Sequence, residues 1–152
     1  MSNKVLFPLF KKVKIGTHKN VDLLREDIRK AGFYIDHTAL DILKETPLSD
    51  SIEVLNLVIV SVEELGFTGE DEPNDIIEAG IHKGLGLCSA EVGPQLRLQY
   101  PEQPCGYWVA VAMKPIPSTE DIGWEYIFRL GHNASGRSPL TGREDRYVFV
   151  QP

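Results

Sequence analysis

The side chains best suited to chemistry gather late in the chain, in GHNASGRSPLTGRED at positions 131–145. There His132 can exchange a proton near neutral pH, which makes it the candidate general acid or base. Arg137 and Arg143 carry guanidinium forks that pair bidentately with phosphate or carboxylate, and Ser138 and Thr141 add hydroxyls. A loop this long without structure of its own is functional or disordered, and a mobile hairpin loop accounts for the same residues. A second group centres on Arg97. The alternation in QLRLQY predicts a half-buried strand from Gln95, with Gln95, Arg97 and Gln99 on its polar face and Leu96, Leu98 and Tyr100 inward. An antiparallel neighbour then brings Trp108 or Lys114 beside Arg97. Arg97, Trp108, Glu125, His132, Arg137 and Arg143 are therefore the candidate ligand-binding set, suited to a flat polar ligand or a peptide. Arg97 paired with Glu91, Glu102 or Glu125 beneath a helix fits the same residues.

Other constellations carry less. His82 and Cys88 have the types of a nucleophilic couple, but no third group orients them. The glycines at 84, 86 and 93 match no phosphate-cradling spacing. Glu91 and Glu102 can do paired acid and base work only if the fold sets their separation, and Glu91 reads first as a first-turn residue after a Ser89 cap. Glu70, Asp71 and Glu72 read as a solvated acidic cap at a helix N-terminus before they read as a metal site. The two cysteines, Cys88 and Cys105, are seventeen apart, lack paired zinc-ligand spacing and are expected to be reduced. Neither a metal nor a cofactor is expected.

Composition sets the frame. The chain has 152 residues, 42 % hydrophobic and 25 % charged, which suits one globular domain over 1–152 with a core that needs no disulfide. No apolar run approaches the ~20 residues of a membrane helix, and the N-terminus lacks signal-peptide features, so a cytoplasmic protein is expected. The net charge of −6 is unevenly spread: residues 1–20 carry five lysines and no acid, and residues 50–80 carry nine acids and no base. A lysine arm beside an acidic body is a weak nucleic-acid footprint, so nucleic acid is not the favoured partner.

The elements that must position these groups follow from period and punctuation. Residues 1–15, interrupted by Pro8, read as an extended arm or edge strand. Asn20 caps a helix with Val21, Leu24, Ile28 and Ala31 inward and Gly32 as its stop, and Glu26 and Lys30 are spaced to pair. Asp36 opens a shorter helix with Leu40 and Leu43 inward, ended by Pro47. IEVLNLVIVS is the central-strand candidate, and Ser61 with Glu64 forms a capping box over the next turn. Pro73 opens a helix with Ile76, Ile77, Gly80 and Ile81 inward and Gly84 beyond its end. From Gln95 the reading changes to strands: Gln95–Tyr100, then YWVAVAMK, then WEYIFRL with Trp124, Tyr126, Phe128 and Leu130 on one face, and last RYVFV. The expectation is an α+β fold, its N-terminal half mostly helical with one central strand and its C-terminal half an antiparallel meander of about four strands.

The block LGLCSAEVGPQLRLQYPEQPCGYWVAVAMKPI, with IGTHKNVDLLREDIRKAGFYI upstream and RYVFV at the end, resembles a group of small uncharacterised proteins associated with candidate-phyla bacteria. The likeness spans about Ile15 to Val150. It implies a bacterial origin and a single-domain boundary, and it brings no activity, cofactor or site residue. The function expected from the residues is a non-enzymatic binding or interaction module for a small polar ligand or a partner protein. The alternative is a small hydrolase or nuclease using His132 with the loop arginines. A third reading takes the lysine arm and aromatic strands as an RNA-binding surface.

Overall fold

The computed structural model describes residues 7–68, 71–131 and 146–152. The fold is α+β. Strand β1 (Lys11–Ile15) precedes helices α1 (Val21–Lys30) and α2 (His37–Lys44), and β2 (Glu53–Ser61) leads through a short 3-10 turn to α3 (Pro73–His82). Helix α4 (Val92–Gln99) is followed by β3 (Val109–Val111), β4 (Ile116–Pro117), β5 (Glu125–Tyr126), β6 (Arg129–Leu130) and β7 (Arg146–Val150).

Local chemistry sets the early elements as expected. Asn20 accepts a hydrogen bond from the Leu23 amide at 2.9 Å, and Asp36 accepts one from the Ala39 amide at 2.8 Å, each filling the N-cap of its helix. Leu24 and Ile28 of α1 are buried, whereas Ala31 is exposed and Leu40 of α2 is only half-buried. Glu26 bonds Arg29 rather than Lys30. The capping box after β2 is reciprocal: the Glu64 carboxylate accepts from the Ser61 amide at 3.0 Å, and the Ser61 hydroxyl accepts from the Glu64 amide at 3.1 Å. In α3, Ile76, Ile77 and Gly80 face inward, but Ile81 is 42 % exposed. A Cβ on Gly80 would collide with the Phe149 ring, so glycine there lets α3 lie against β7.

The second half departs from the expected meander. The main sheet is mixed, in the order β1-β2-β7-β3-β6, with every pairing antiparallel except that of β3 with β7. The last strand inserts between two strands formed much earlier. Val109, Ala110 and Val111 of β3 and Tyr147, Val148 and Phe149 of β7 are all buried, as strands covered on both faces must be. Strands β4 and β5 form a separate hairpin. WEYIFRL is thus divided between two sheets, and Trp124 is 67 % exposed rather than inward. Residues 11–15 do form an edge strand, paired with β2.

The expected strand at Gln95–Tyr100 is helix α4. Its Gly93 and Pro94 fall in the first turn, where the proline's missing N–H costs no intrahelical bond, so the pair begins a helix instead of breaking one. Two stripes at four-residue spacing run along it. Val92, Leu96 and Tyr100 enter the core, and Glu91, Gln95 and Gln99 form a polar row against β1. Among the described residues, no helix is long and apolar enough to cross a membrane.

Candidate functional site

The polar row of α4 is structural. Glu91, fully buried at the N-cap position, accepts hydrogen bonds from the Gly16 amide at 2.8 Å, the Ser49 amide at 2.8 Å and Gln95 Nε2 at 3.0 Å. Gln95 also donates to Thr17 Oγ1 at 2.8 Å. The Gln99 amide accepts from the Lys14 N–H at 2.9 Å and donates to the Lys14 carbonyl at 2.8 Å, occupying backbone groups that an edge strand otherwise offers to another chain. Glu91 is committed to holding β1 and the 49–51 segment. Glu102 instead lies at the surface against Lys11 at 2.9 Å, and that contact keeps its carboxyl below the usual range. The two are not arranged as an acid and base pair.

Arg97 lies on another side of α4, buried at 9 % exposure, not on an open sheet face. Nη1 donates to Gln103 Oε1 at 2.7 Å and Nη2 to the Tyr100 carbonyl at 2.9 Å. Its guanidinium carbon is 4.3 Å from the centroid of the Phe33 ring, a cation–π stack. Burial lowers its pKa, yet a guanidinium stays protonated at any pH the fold meets. Gln103 fixes the group from the far side, donating to the Tyr107 carbonyl at 2.6 Å and the Leu130 carbonyl at 3.0 Å. A planar cation is thereby held rigidly between α4, the end of α1 and the strand pair β3/β6.

Beside it is a cavity of about 290 Å³. The Gly32–Asp36 segment and α2 form one wall, with Phe33, Tyr34 and Ile35. Gly93, Pro94 and Arg97 of α4 lie along another side, and Trp108 with Phe128–Gly131 completes it. Two glycines shape this space. A Cβ on Gly93 would stand 2.5 Å from the Phe128 ring, and one on Gly131 would collide with the Trp108 indole. Each ring therefore packs directly onto bare backbone, in the room a side chain would otherwise take. At the lower end of the ~300–1,000 Å³ of small-molecule sites, this volume suits one ring system or a short aliphatic chain.

Arg97 and Trp108 both line this cavity, Arg97 from a helix and not from the strand expected for it. Glu125 does not join them: it is exposed in the β4/β5 hairpin and does not line the cavity. His132, Arg137 and Arg143 lie outside the described residues, and so does the hydrolase or nuclease reading built on them. Missing from the expected set are Phe33, Tyr34 and Gln103. A signal for the first two existed: GFYID places two aromatic residues between a helix-ending glycine and the N-cap Asp36, a stretch too short to bury both. Tyr34 is indeed 78 % exposed.

The remaining candidates resolve as structure. Cys88 is buried, its thiol donates to the Val148 carbonyl at 3.4 Å, and burial pushes its pKa up to about 12, which leaves no thiolate for nucleophilic work. His82 is exposed on α3, 3.9 Å from Glu78. Glu70 lies outside the described residues, and Asp71 accepts from the Thr68 amide at 3.1 Å. No three His, Cys, Asp or Glu side chains among the described residues form a set that could hold a metal. No family model matches this chain, and neither does any curated protein or solved structure with which it was compared.

Proposed function

We propose that the protein is a non-enzymatic binding module whose site is the cavity beside Arg97, and that its ligand has a flat or short apolar body and an acceptor-bearing end, such as a carboxylate or carbonyl. One observation carries this reading: a fixed guanidinium and the side chains of Phe33, Tyr34, Trp108 and Phe128 border one space. Apolar walls with a few placed polar groups are the common form of a small-molecule site. Anion pairing with a guanidinium gains strength where water is scarce.

The test uses aromatic and short aliphatic carboxylates, with their alcohols as controls, on a Trp124→Phe variant in which Trp108 is the remaining tryptophan. Binding should shift Trp108 emission and raise the melting temperature, with stabilisation of about 2.7 kcal/mol at a ligand concentration a hundred times Kd. Arg97→Met should abolish the preference for the acid over the alcohol. Absence of any emission or melting response across both series would overturn the proposal.

A further inference from the structure

The β4/β5 hairpin has a feature that folding alone does not require. Its turn carries Ile122 at 83 % exposure and Trp124 at 67 % exposure, the two side by side around Gly123 at φ 93°. Acidic residues flank them in the chain: Glu120, Asp121 and Glu125 are all exposed. The hairpin is also fixed at its root. The buried Asp41 carboxylate of α2 accepts from Ser118 Oγ at 2.6 Å, from the Thr119 amide at 3.1 Å and from the Thr119 hydroxyl. Ser118 Oγ in turn accepts from the Asp121 amide at 2.8 Å, and His37 contacts Glu120. An exposed tryptophan on a preorganised turn is the usual form of an interface anchor, because little ordering remains to be done on binding.

The surface that complements this knob is on the same molecule. The cavity beside Arg97 is apolar and aromatic, sized for one ring system, and its two arginines, Arg97 and Arg129, outnumber its one acid, Asp36. It is thus opposite in shape and in charge to the hairpin turn. Both features flank α2, the cavity through Asp36, Ala39 and Leu43 and the hairpin through His37 and Asp41. Two copies facing each other across a two-fold axis can therefore make the contact twice. We propose that the cavity's protein partner is a second copy of this chain, which seats Trp124 among Phe33, Trp108 and Phe128, with Ile122 at the cavity's mouth, while its acidic rim meets Arg129. The idea rests on the reading of the cavity as a binding site.

Each buried tryptophan covers only ~150–250 Å², so two knobs fall short of the ~800 Å² per partner of a standard interface unless flanking surface joins in. The association is accordingly weak and concentration-dependent. The net charge of −6 on each copy opposes it at low salt. At physiological ionic strength that repulsion is screened beyond about 8 Å, whereas contact between the acidic rim and Arg129 is screened less.

Sedimentation equilibrium of the whole chain over a concentration series is the test. The expected result is a reversible rise from 17.0 kDa towards twice that mass. Trp124→Ala, which removes an exposed side chain and leaves the melting temperature unchanged, should weaken association at least about 30-fold, as loss of a central anchor does. Ala39→Phe should weaken it as well by filling the cavity. Mixing the Ala39→Phe and Trp124→Ala chains should restore one intact contact and with it partial dimer. Should Ala39→Phe fail to fold, Arg129→Glu replaces it, with recovery by a Glu125→Lys chain as the matching result. A wild-type chain that stays monomeric throughout, or a dimer indifferent to Trp124→Ala, overturns the inference. The Trp124→Ala chain keeps its cavity, so carboxylate binding measured on it separates failure of this inference from failure of the small-ligand reading.

Discussion

Two buried charges, one on α2 and one on α4, have opposite surroundings. Asp41 is enclosed: two hydroxyls and a backbone amide reach its oxygens, and the carboxylate ties α2 to the β4/β5 hairpin. Arg97 is as rigidly held, through Gln103 and the Tyr100 carbonyl, but one side of its surroundings is a cavity with aromatic walls. Burial and hydrogen bonding are therefore common to both and do not mark a site. What separates them is that Arg97 itself lines an open space, whereas Asp41 is covered by its hydroxyl partners. A charge enclosed by its own partners builds structure, and the charge that lines a space is the one proposed to meet a ligand.

Crowding the cavity wall is the most damaging change. Gly93→Leu drives a side chain into the Phe128 ring, and overpacking of this kind costs about 3 kcal/mol. For a chain of 152 residues this lowers the melting temperature by about 6–12 °C, and it should abolish every carboxylate response of Trp108. A protein that tolerates Gly93→Leu with binding intact would show that the cavity is not the site. Arg97→Met comes next. It leaves the oxygen of Gln103 and the carbonyl of Tyr100 without their donor, at a cost of about 1–3 kcal/mol read by chemical denaturation, while the apolar walls remain. Neutral aromatic alcohols should bind this variant as they bind the wild type, so that only the acid preference is lost.

Much of this frame was legible residue by residue. Asn20, Asp36 and the Ser61/Glu64 box mark their helix starts by local hydrogen bonding, which depends on few neighbours. β2 declared itself as a strand by its apolar run, but only Leu57, Val58 and Val60 of it are buried, and β7, not β2, takes the middle of the sheet. Helix α4 did not, because QLRLQY satisfies a two-residue period while Val92, Leu96 and Tyr100, with Glu91, Gln95 and Gln99, satisfy a four-residue one. The longer window from Glu91 decides for the helix, and the first-turn allowance for Pro94 agrees with it. The place of β7 between β2 and β3 had no local signature, since strand order is set by long-range burial. The cavity was only half legible: Arg97 and Trp108 could be nominated by type, but a gap between α1, α2, α4 and β6 belongs to no segment.

The smallest effect is the pH dependence of the enclosed charge. The hydroxyls of Ser118 and Thr119 hold the Asp41 carboxyl below its ordinary pKa, so the folded protein binds that proton less readily than the unfolded chain. Stability from this group is fully present above the unfolded value, about 3.9, and is lost as pH falls through the lower folded value. Denaturation midpoints of the wild type should therefore decline below about pH 4. In Asp41→Asn the group no longer titrates, so the stability difference between wild type and variant should narrow progressively over that range. Arg97→Met should show no such convergence, because a guanidinium keeps its charge throughout. Parallel acid profiles for wild type and Asp41→Asn would mean that the hydroxyl cage does not favour the ionised form. Asp41 and Arg97 would then differ only in the cavity that Arg97 lines.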